Sequence, residues 1–312
     1  MKRRLHIFLV LAFIFVHCKK ESPFVSKDVI DKIEAKKNPT IGNVAFILEN
    51  DVYYLKTFNG IPKQLTFSST TEKKEIRVTH KGDKLAYLNS SGTPVIIDTL
   101  GNTLNTLFQF TNVQSMDWSQ DDQTLYMLID GKINFFGPAM NIPSITYSGV
   151  PSNMSPDLHL ISISSNNDLA YSYTSFDPEI GYVYKVVFKK NDNTNKEQEL
   201  AKVRGDKVKY LTFVNTTNEL MVGYDYYDHN RELSKVEVYP YLGIYPSVFE
   251  SSEEYVDPIY RSDLQYMVSA YRGASSESFI LSAIRFFQNN EGNYYMNKYS
   301  VTNSNKIYVN WK

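Results

Sequence analysis

One local theme recurs along this chain and narrows what it can fold into: a short strand, a polar turn, then an apolar strand. It is clearest at residues 76–88, IRVTHKGDKLAYL, and at residues 114–128, QSMDWSQDDQTLYML. Looser copies read LHLISISSNNDLAYSY over 158–173, VKYLTFVNTTNELMVGY over 208–224 and PIYRSDLQYMVSAY over 258–271. The copies lie about 40–50 residues apart, the length of one four-stranded unit that must stack on its neighbours to bury its faces. Evenly spaced short strands leave a sandwich, a barrel or a propeller, and the internal repeat selects the propeller. Gly82-Asp83 and Asp121-Asp122 stand where the turns need unusual backbone angles. Tyr and Phe, 24 and 18 of the 312 residues, suit pleated, half-buried surfaces.

The turn motif resembles the TolB-type propeller repeat, Trp-Ser-Pro-Asp-Gly followed by Leu-Ala-Tyr. Trp118-Ser119-Gln120-Asp121 with Leu125-Tyr126 is its closest copy, with Gln120 in place of the proline. The resemblance covers most of 43–312 and implies a β-propeller of four-stranded blades; counting the units gives a six-bladed ring, with a seven-bladed ring carrying one degenerate blade, or a β-sandwich, as the alternatives. The blades parse as 43–67 with 306–312, then 76–110, 113–147, 158–203, 207–250 and 256–302. The first blade lacks its innermost strand. Tyr308-Val309-Asn310-Trp311 matches Ser115-Met116-Asp117-Trp118, so the C-terminal strand is expected to close the ring by pairing into the first blade, which removes a free edge.

The amino terminus predicts export. Lys2, Arg3 and Arg4 precede an uninterrupted apolar run, Ile7–Val16, which is a signal-peptide pattern; a membrane span needs about 20 such residues. Cys18, the chain's one cysteine, follows directly, so no internal disulfide or Cys-rich metal site exists. Its position resembles the lipobox of bacterial lipoproteins, although His17 stands where that pattern has a small residue. The expected domains are a signal peptide over 1–17, a lipidated Cys18 with a polar tether over 18–42, and the propeller over 43–312. The resemblance implies a chain anchored at the bacterial outer membrane, on its periplasmic or surface side, with a soluble periplasmic protein as the alternative. Without residues 1–17 the chain has 30 basic and 34 acidic residues, a net charge of −4, which disfavours nucleic acid as a partner.

Connections between the second and third strands of each blade share one face of a propeller. In blades 1 to 3 they are short: Glu49-Asn50-Asp51, Ser90-Ser91-Gly92 and Asp130-Gly131. In blades 4 to 6 they are expected to be long loops, over 174–181, 225–231 and 272–277. These loops and the rim beside them supply the candidate binding residues Asp177, Glu179, Tyr182, Asp225, Tyr226, Tyr227, Asp228, His229, Arg231, Tyr271 and Arg272, because Tyr and Arg are common binding anchors and loops on a rigid scaffold carry function. The expected role is a non-catalytic binding or assembly module for an envelope protein, peptide or glycan. An envelope hydrolase or lyase acting on glycans or lactones at the central channel is the alternative. No Gly-x-Ser-x-Gly elbow occurs. His80 and His159 read as structural, Asp192–Glu199 as a solvated hairpin rather than a calcium loop, and neither cofactor nor metal is expected.

Overall fold

Short apolar runs such as Val44–Ile47 and Leu85–Leu88 are buried residue after residue rather than alternately. A strand with that pattern is packed on both faces, and the fold supplies both. The structure, a computed structural model, describes the chain from Gly42 to Trp311 outside residues 58–60, 69, 139–141, 144–157, 193–196, 205–206, 215–217, 229–230, 240–246, 252–253, 262–265, 273–278, 289–293 and 305–306. Side-chain surroundings are described as far as Tyr239, outside those segments and outside 158–159, 202–207, 214 and 225–236.

All regular structure among the described residues is β. Sheet 1 contains β1 (Gly42–Leu48), β2 (Asp51–Thr57) and β3 (Lys63–Gln64). Sheet 2 contains β4 (Lys73–Val78), β5 (Lys84–Asn89), β6 (Pro94–Asp98) and β7 (Thr103–Thr106). Sheet 3 contains β8 (Ser115–Trp118), β9 (Leu125–Ile129) and β10 (Lys132–Phe136). Sheet 4 runs β11 (Leu158–Ile163), β12 (Leu169–Asp177), β13 (Gly181–Lys189) and β14 (Glu197–Arg204). Sheet 5 runs β15 (Lys207–Val214), β16 (Glu219–Asp228), β17 (Arg231–Tyr239) and β18 (Ser247–Ser251). Sheet 6 runs β19 (Glu254–Arg261), β20 (Tyr266–Arg272), β21 (Phe279–Gln288) and β22 (Tyr294–Ser304). The last strand, β23 (Ile307–Trp311), pairs antiparallel on β1, with Trp311 opposite Val44 and Ile307 opposite Leu48.

Each sheet is an open antiparallel ladder, and the sheets pack against one another through their first strands. β4 lies beside β8, β8 beside β11, β11 beside β15, β15 beside β19, and β23 beside both β19 and β4. The core is correspondingly divided into layers between neighbouring sheets. One layer joins Ile47, Val52 and Leu65 of sheet 1 to Ile76, Leu85 and Ile97 of sheet 2. Others join Leu88 to Trp118, Tyr126 to Tyr171, and Val186 to Phe213. β4 begins at Lys73, three residues ahead of the expected strand start, and bulges between Lys74 and Ile76 with Glu75 at φ 42°. The bulge aims the Glu75 carboxylate at the next sheet, where Oε1 accepts the Met116 N–H (3.1 Å) and pairs with Arg77 (2.8 Å).

Polar side chains tie successive inner strands together. Arg77 Nε donates to the Met116 carbonyl (2.9 Å), and the Trp118 indole donates to the Arg77 carbonyl (3.2 Å). Asp117, fully buried, accepts Ser162 Oγ (2.8 Å) and the Ile163 N–H (3.0 Å) on one oxygen. Ser162 Oγ in turn accepts the Phe213 N–H (3.0 Å). These bonds satisfy edge groups that separate sheets would otherwise leave unpaired inside the fold.

Candidate functional site

The expected long loops of sheets 4 and 5 are instead extended hairpins. β12 runs to Asp177 and β13 restarts at Gly181, so residues 178–180 alone connect them. β16 runs to Asp228 and β17 restarts at Arg231, so 229–230 connect them. The polar residues that suggested loops alternate with β-forming ones, as in Tyr171-Ser172-Tyr173-Thr174-Ser175-Phe176, and pair across the ladder for their whole length. Ser172 and Ser175 are buried within this paired stretch, so polar composition does not end the strand. In sheet 6, β20 ends at Arg272 and β21 starts at Phe279; residues 273–278 lie outside the described residues.

The tip of the sheet 4 hairpin is built from its sequence. Asp177 Oδ1 accepts the N–H groups of Glu179 (2.8 Å) and Ile180 (3.1 Å), which closes the turn. Pro178 has no N–H to satisfy, and Gly181 takes φ 86°, which glycine adopts without strain. Two facing pairs sit just inside this turn. Ser175 and Val183 pair on the buried face, while Phe176 and Tyr182 pair on the other. Phe176 is 40% exposed and Tyr182 59%. Their rings meet edge to face, with centroids 5.5 Å apart and an interplanar angle of 77°, a favoured aromatic arrangement. Glu179 is exposed at the apex.

The other candidates are placed by backbone register. Asp225 stands opposite Ser234, Tyr226 opposite Leu233, Tyr227 opposite Glu232 and Asp228 opposite Arg231. Tyr271 lies between Tyr255 and Ile280, and Arg272 opposite Glu254. His229 and Cys18 lie outside the described residues. Sequence reading overlooked Phe176; the signal was its mirror position to Tyr182 about Glu179. It also overlooked the inner-strand tie made by Asp117, although this residue sits inside the Ser-Met-Asp-Trp motif used to count repeats.

The buried titratable groups with perturbed environments lie elsewhere, several of them at sheet seams. Tyr239 donates to Glu237 Oε2 (2.6 Å) and lies 3.2 Å from the Leu200 carbonyl of sheet 4. Burial first, then Glu237, push the Tyr224 and Tyr239 phenols well above their ordinary range, so both stay protonated. Lys73 is buried, which lowers its ammonium pKa, and is held by Asp51 (3.7 Å) and the Ser68 carbonyl (3.1 Å). His80 Nδ1 lies 2.7 Å from Asp122 Oδ1, which accounts for His80 structurally; the His159 side chain lies outside the described ones. Among the described residues no group of three His, Cys, Asp or Glu side chains is arranged to hold a metal ion.

No protein-family model and no curated protein matches this chain. Solved structures do match, and they are β-propeller proteins. A chain from a nidogen/laminin complex aligns with a TM-score of 0.55 at 10% identity, over 85% of this chain and 97% of its own length. A β-propeller domain from Myceliophteria thermophila aligns at 0.44 with 11% identity over 74% and 72%. An oligogalacturonate lyase in complex with manganese aligns at 0.47 with 10% identity over 85% and 75%. The first of these carries the fold: an all-β protein of the propeller class.

Proposed function

We propose that this chain is an exported, lipid-anchored six-bladed propeller of the bacterial envelope that binds a protein partner without catalysis. The six sheets are its blades, and β23 on β1 is the strand that closes the ring. Residues 1–17 serve as signal peptide, Cys18 carries the lipid, and 18–42 form the tether. The ring is of the TolB type. The partner meets the face where the β12–β13, β16–β17 and β20–β21 hairpins end.

The observation that carries this reading is the exposed Phe176–Tyr182 pair on a turn locked by Asp177. A rigid aromatic pair presents contact area at small entropic cost. The similar chain of the nidogen/laminin complex comes from a protein–protein assembly, which suits the same class of role. The test is a double variant, Phe176→Ser with Tyr182→Ser, compared with Phe135→Ser, an exposed aromatic on sheet 3. Cross-linking in intact cells should capture a partner with the wild type and with Phe135→Ser, and lose it with the double variant while the melting temperature falls by no more than a few degrees. Capture undiminished by the double variant refutes the site. Labelled palmitate should enter the wild type and not Cys18→Ser.

A further inference from the structure

Among the described residues, large apolar side chains are not exposed evenly. Of the eight among the described residues, five fall on the outer edge of sheets 1 and 2: Ile61, Phe67, Leu100, Leu104 and Phe108. Ile61 is 94% exposed, Leu100 70% and Phe108 78%. Single exposed apolar residues are ordinary, but a continuous apolar edge marks an interaction surface.

The two sheets touch along this edge. Lys63 Nζ donates to the Thr99 carbonyl (3.2 Å), which ties the start of β3, just after Ile61, to the β6–β7 turn that carries Leu100. Gly101 lies against Leu65, where an added Cβ would come within 2.7 Å of the Leu65 carbonyl oxygen, so the β6–β7 turn packs directly on the chain just past β3. Leu104 lies on β7, and Phe67 and Phe108 close the far end of β3 and β7.

The chain enters the fold on β1, two strands in from β3 but at the end from which the β2–β3 connection leaves. Gly42, the first residue of β1, is paired with Thr57, four residues before Ile61. Cys18 lies 24 residues upstream, a reach of at most ~80 Å when fully extended. Exposed Lys56 and Lys63 flank the apolar residues, and Asp98 is engaged by Asn102 (2.8 Å) and the Leu100 N–H (2.8 Å). Apolar and aromatic side chains interleaved with lysines at the end of a tether match an anionic bilayer surface.

Resting on the lipid-anchor reading above, we infer that the outer edge of sheets 1 and 2 lies on the lipid surface that holds Cys18. In a six-membered ring, sheets 4 and 5 stand across from sheets 1 and 2. Contact through this edge therefore holds the Phe176–Tyr182 tip away from the bilayer, open to a partner.

The test uses the lipidated protein in phosphatidylethanolamine–phosphatidylglycerol vesicles, in which the Cys18 sulfur is occupied by lipid. Leu100→Cys, Phe108→Cys and Glu179→Cys each add one thiol for an environment-sensitive fluorophore. Emission from positions 100 and 108 should shift to the blue and be quenched by nitroxide-labelled lipid, while position 179 stays water-like. Labels at 100 and 108 that match 179 in anchored protein overturn the inference and leave the anchor standing. A blue shift that persists without vesicles and grows with protein concentration assigns the edge to a second copy and also overturns it. If Cys18 takes up no lipid, the anchor reading fails. The inference then stands only if the same labels on residues 18–312 carrying Cys18→Ser still shift when vesicles are added, and falls if they do not.

Discussion

Sheets 2 and 3 are joined at their first turns by a charge, and sheets 4 and 5 by a neutral amide in the same place. Asp122 (φ 62°) and Asn218 (φ 54°) occupy the same left-handed turn position, where short Asx side chains are tolerated. Asp122 accepts the His80 N–H (2.8 Å), His80 Nδ1 and the Lys81 N–H (3.0 Å) from the turn of sheet 2. Asn218 Oδ1 accepts the Ser165 N–H (3.2 Å) and hydroxyl from the turn of sheet 4. Below the turns the contrast continues. Arg77, Glu75 and Trp118 fill the first seam, whereas Phe188 and Phe213 meet edge to face in the second at 6.1 Å. One turn geometry is thus executed with two chemistries, and of the two turn contacts only the first depends on protonation.

The largest test of that contrast is Trp118→Ala. It removes a buried ring, its bond to Arg77 and its contact with Lys84 Nζ, 5.6 Å away. The expected loss is about 3–5 kcal/mol in urea unfolding, and a loss below about 1 kcal/mol would show the charged seam to be dispensable. Tyr239→Phe removes the hydroxyl that joins Glu237 to sheet 4. It should cost about 1–3 kcal/mol, read by the same denaturation at neutral pH.

Asp122→Asn separates the two seams by pH. Burial alone would raise the Asp122 pKa, but hydrogen bonds from the His80 ring and from the His80 and Lys81 N–H groups outweigh it and hold the carboxyl below its usual range. A depressed folded pKa adds stability that is complete above the ordinary carboxyl pKa of about 4. That stability fades as pH falls from there through the folded value. Asp122→Asn should therefore remove part of the acid destabilisation below about pH 4. Asn218→Asp should add acid sensitivity at the neutral seam, and identical melting curves at pH 3 and 7 for wild type and variants would contradict the assignment. The smallest effect belongs to the tip: Phe176→Ala should cost about 0.5–1 kcal/mol, because the pair is exposed and lies beyond the packed sheets.

Much of the fold was legible. Strands over Val44–Leu48, Lys84–Asn89 and Pro94–Asp98 follow from apolar runs cut by Gly, Asn and Asp turns, and the tight connections at Glu49-Asn50 and Asp130-Gly131 adopt the left-handed angles those residues favour. The candidate site was legible as a region and misread as a structure. Tyr226, Tyr227 and Asp228 read as loop because charge and aromatic residues crowd together, yet each has a paired backbone partner on β17. Pairing is a property of two segments, and composition reports on one.

By itself the sequence determined the repeat, the turns and the likeness of Tyr308–Trp311 to Ser115–Trp118, because these depend on backbone angles and on apolar periodicity within a few residues. The tertiary structure alone decided which polar groups hold the sheets together. Glu75, Asp117, Ser162 and Tyr239 look like ordinary surface residues until a neighbouring sheet, 39 to 51 residues away in the chain, presents an unpaired backbone group. Burial then makes that bond costly to lose. The same holds for the apolar edge of sheets 1 and 2, where the bond from Lys63 to the Thr99 carbonyl joins segments 36 residues apart in the chain.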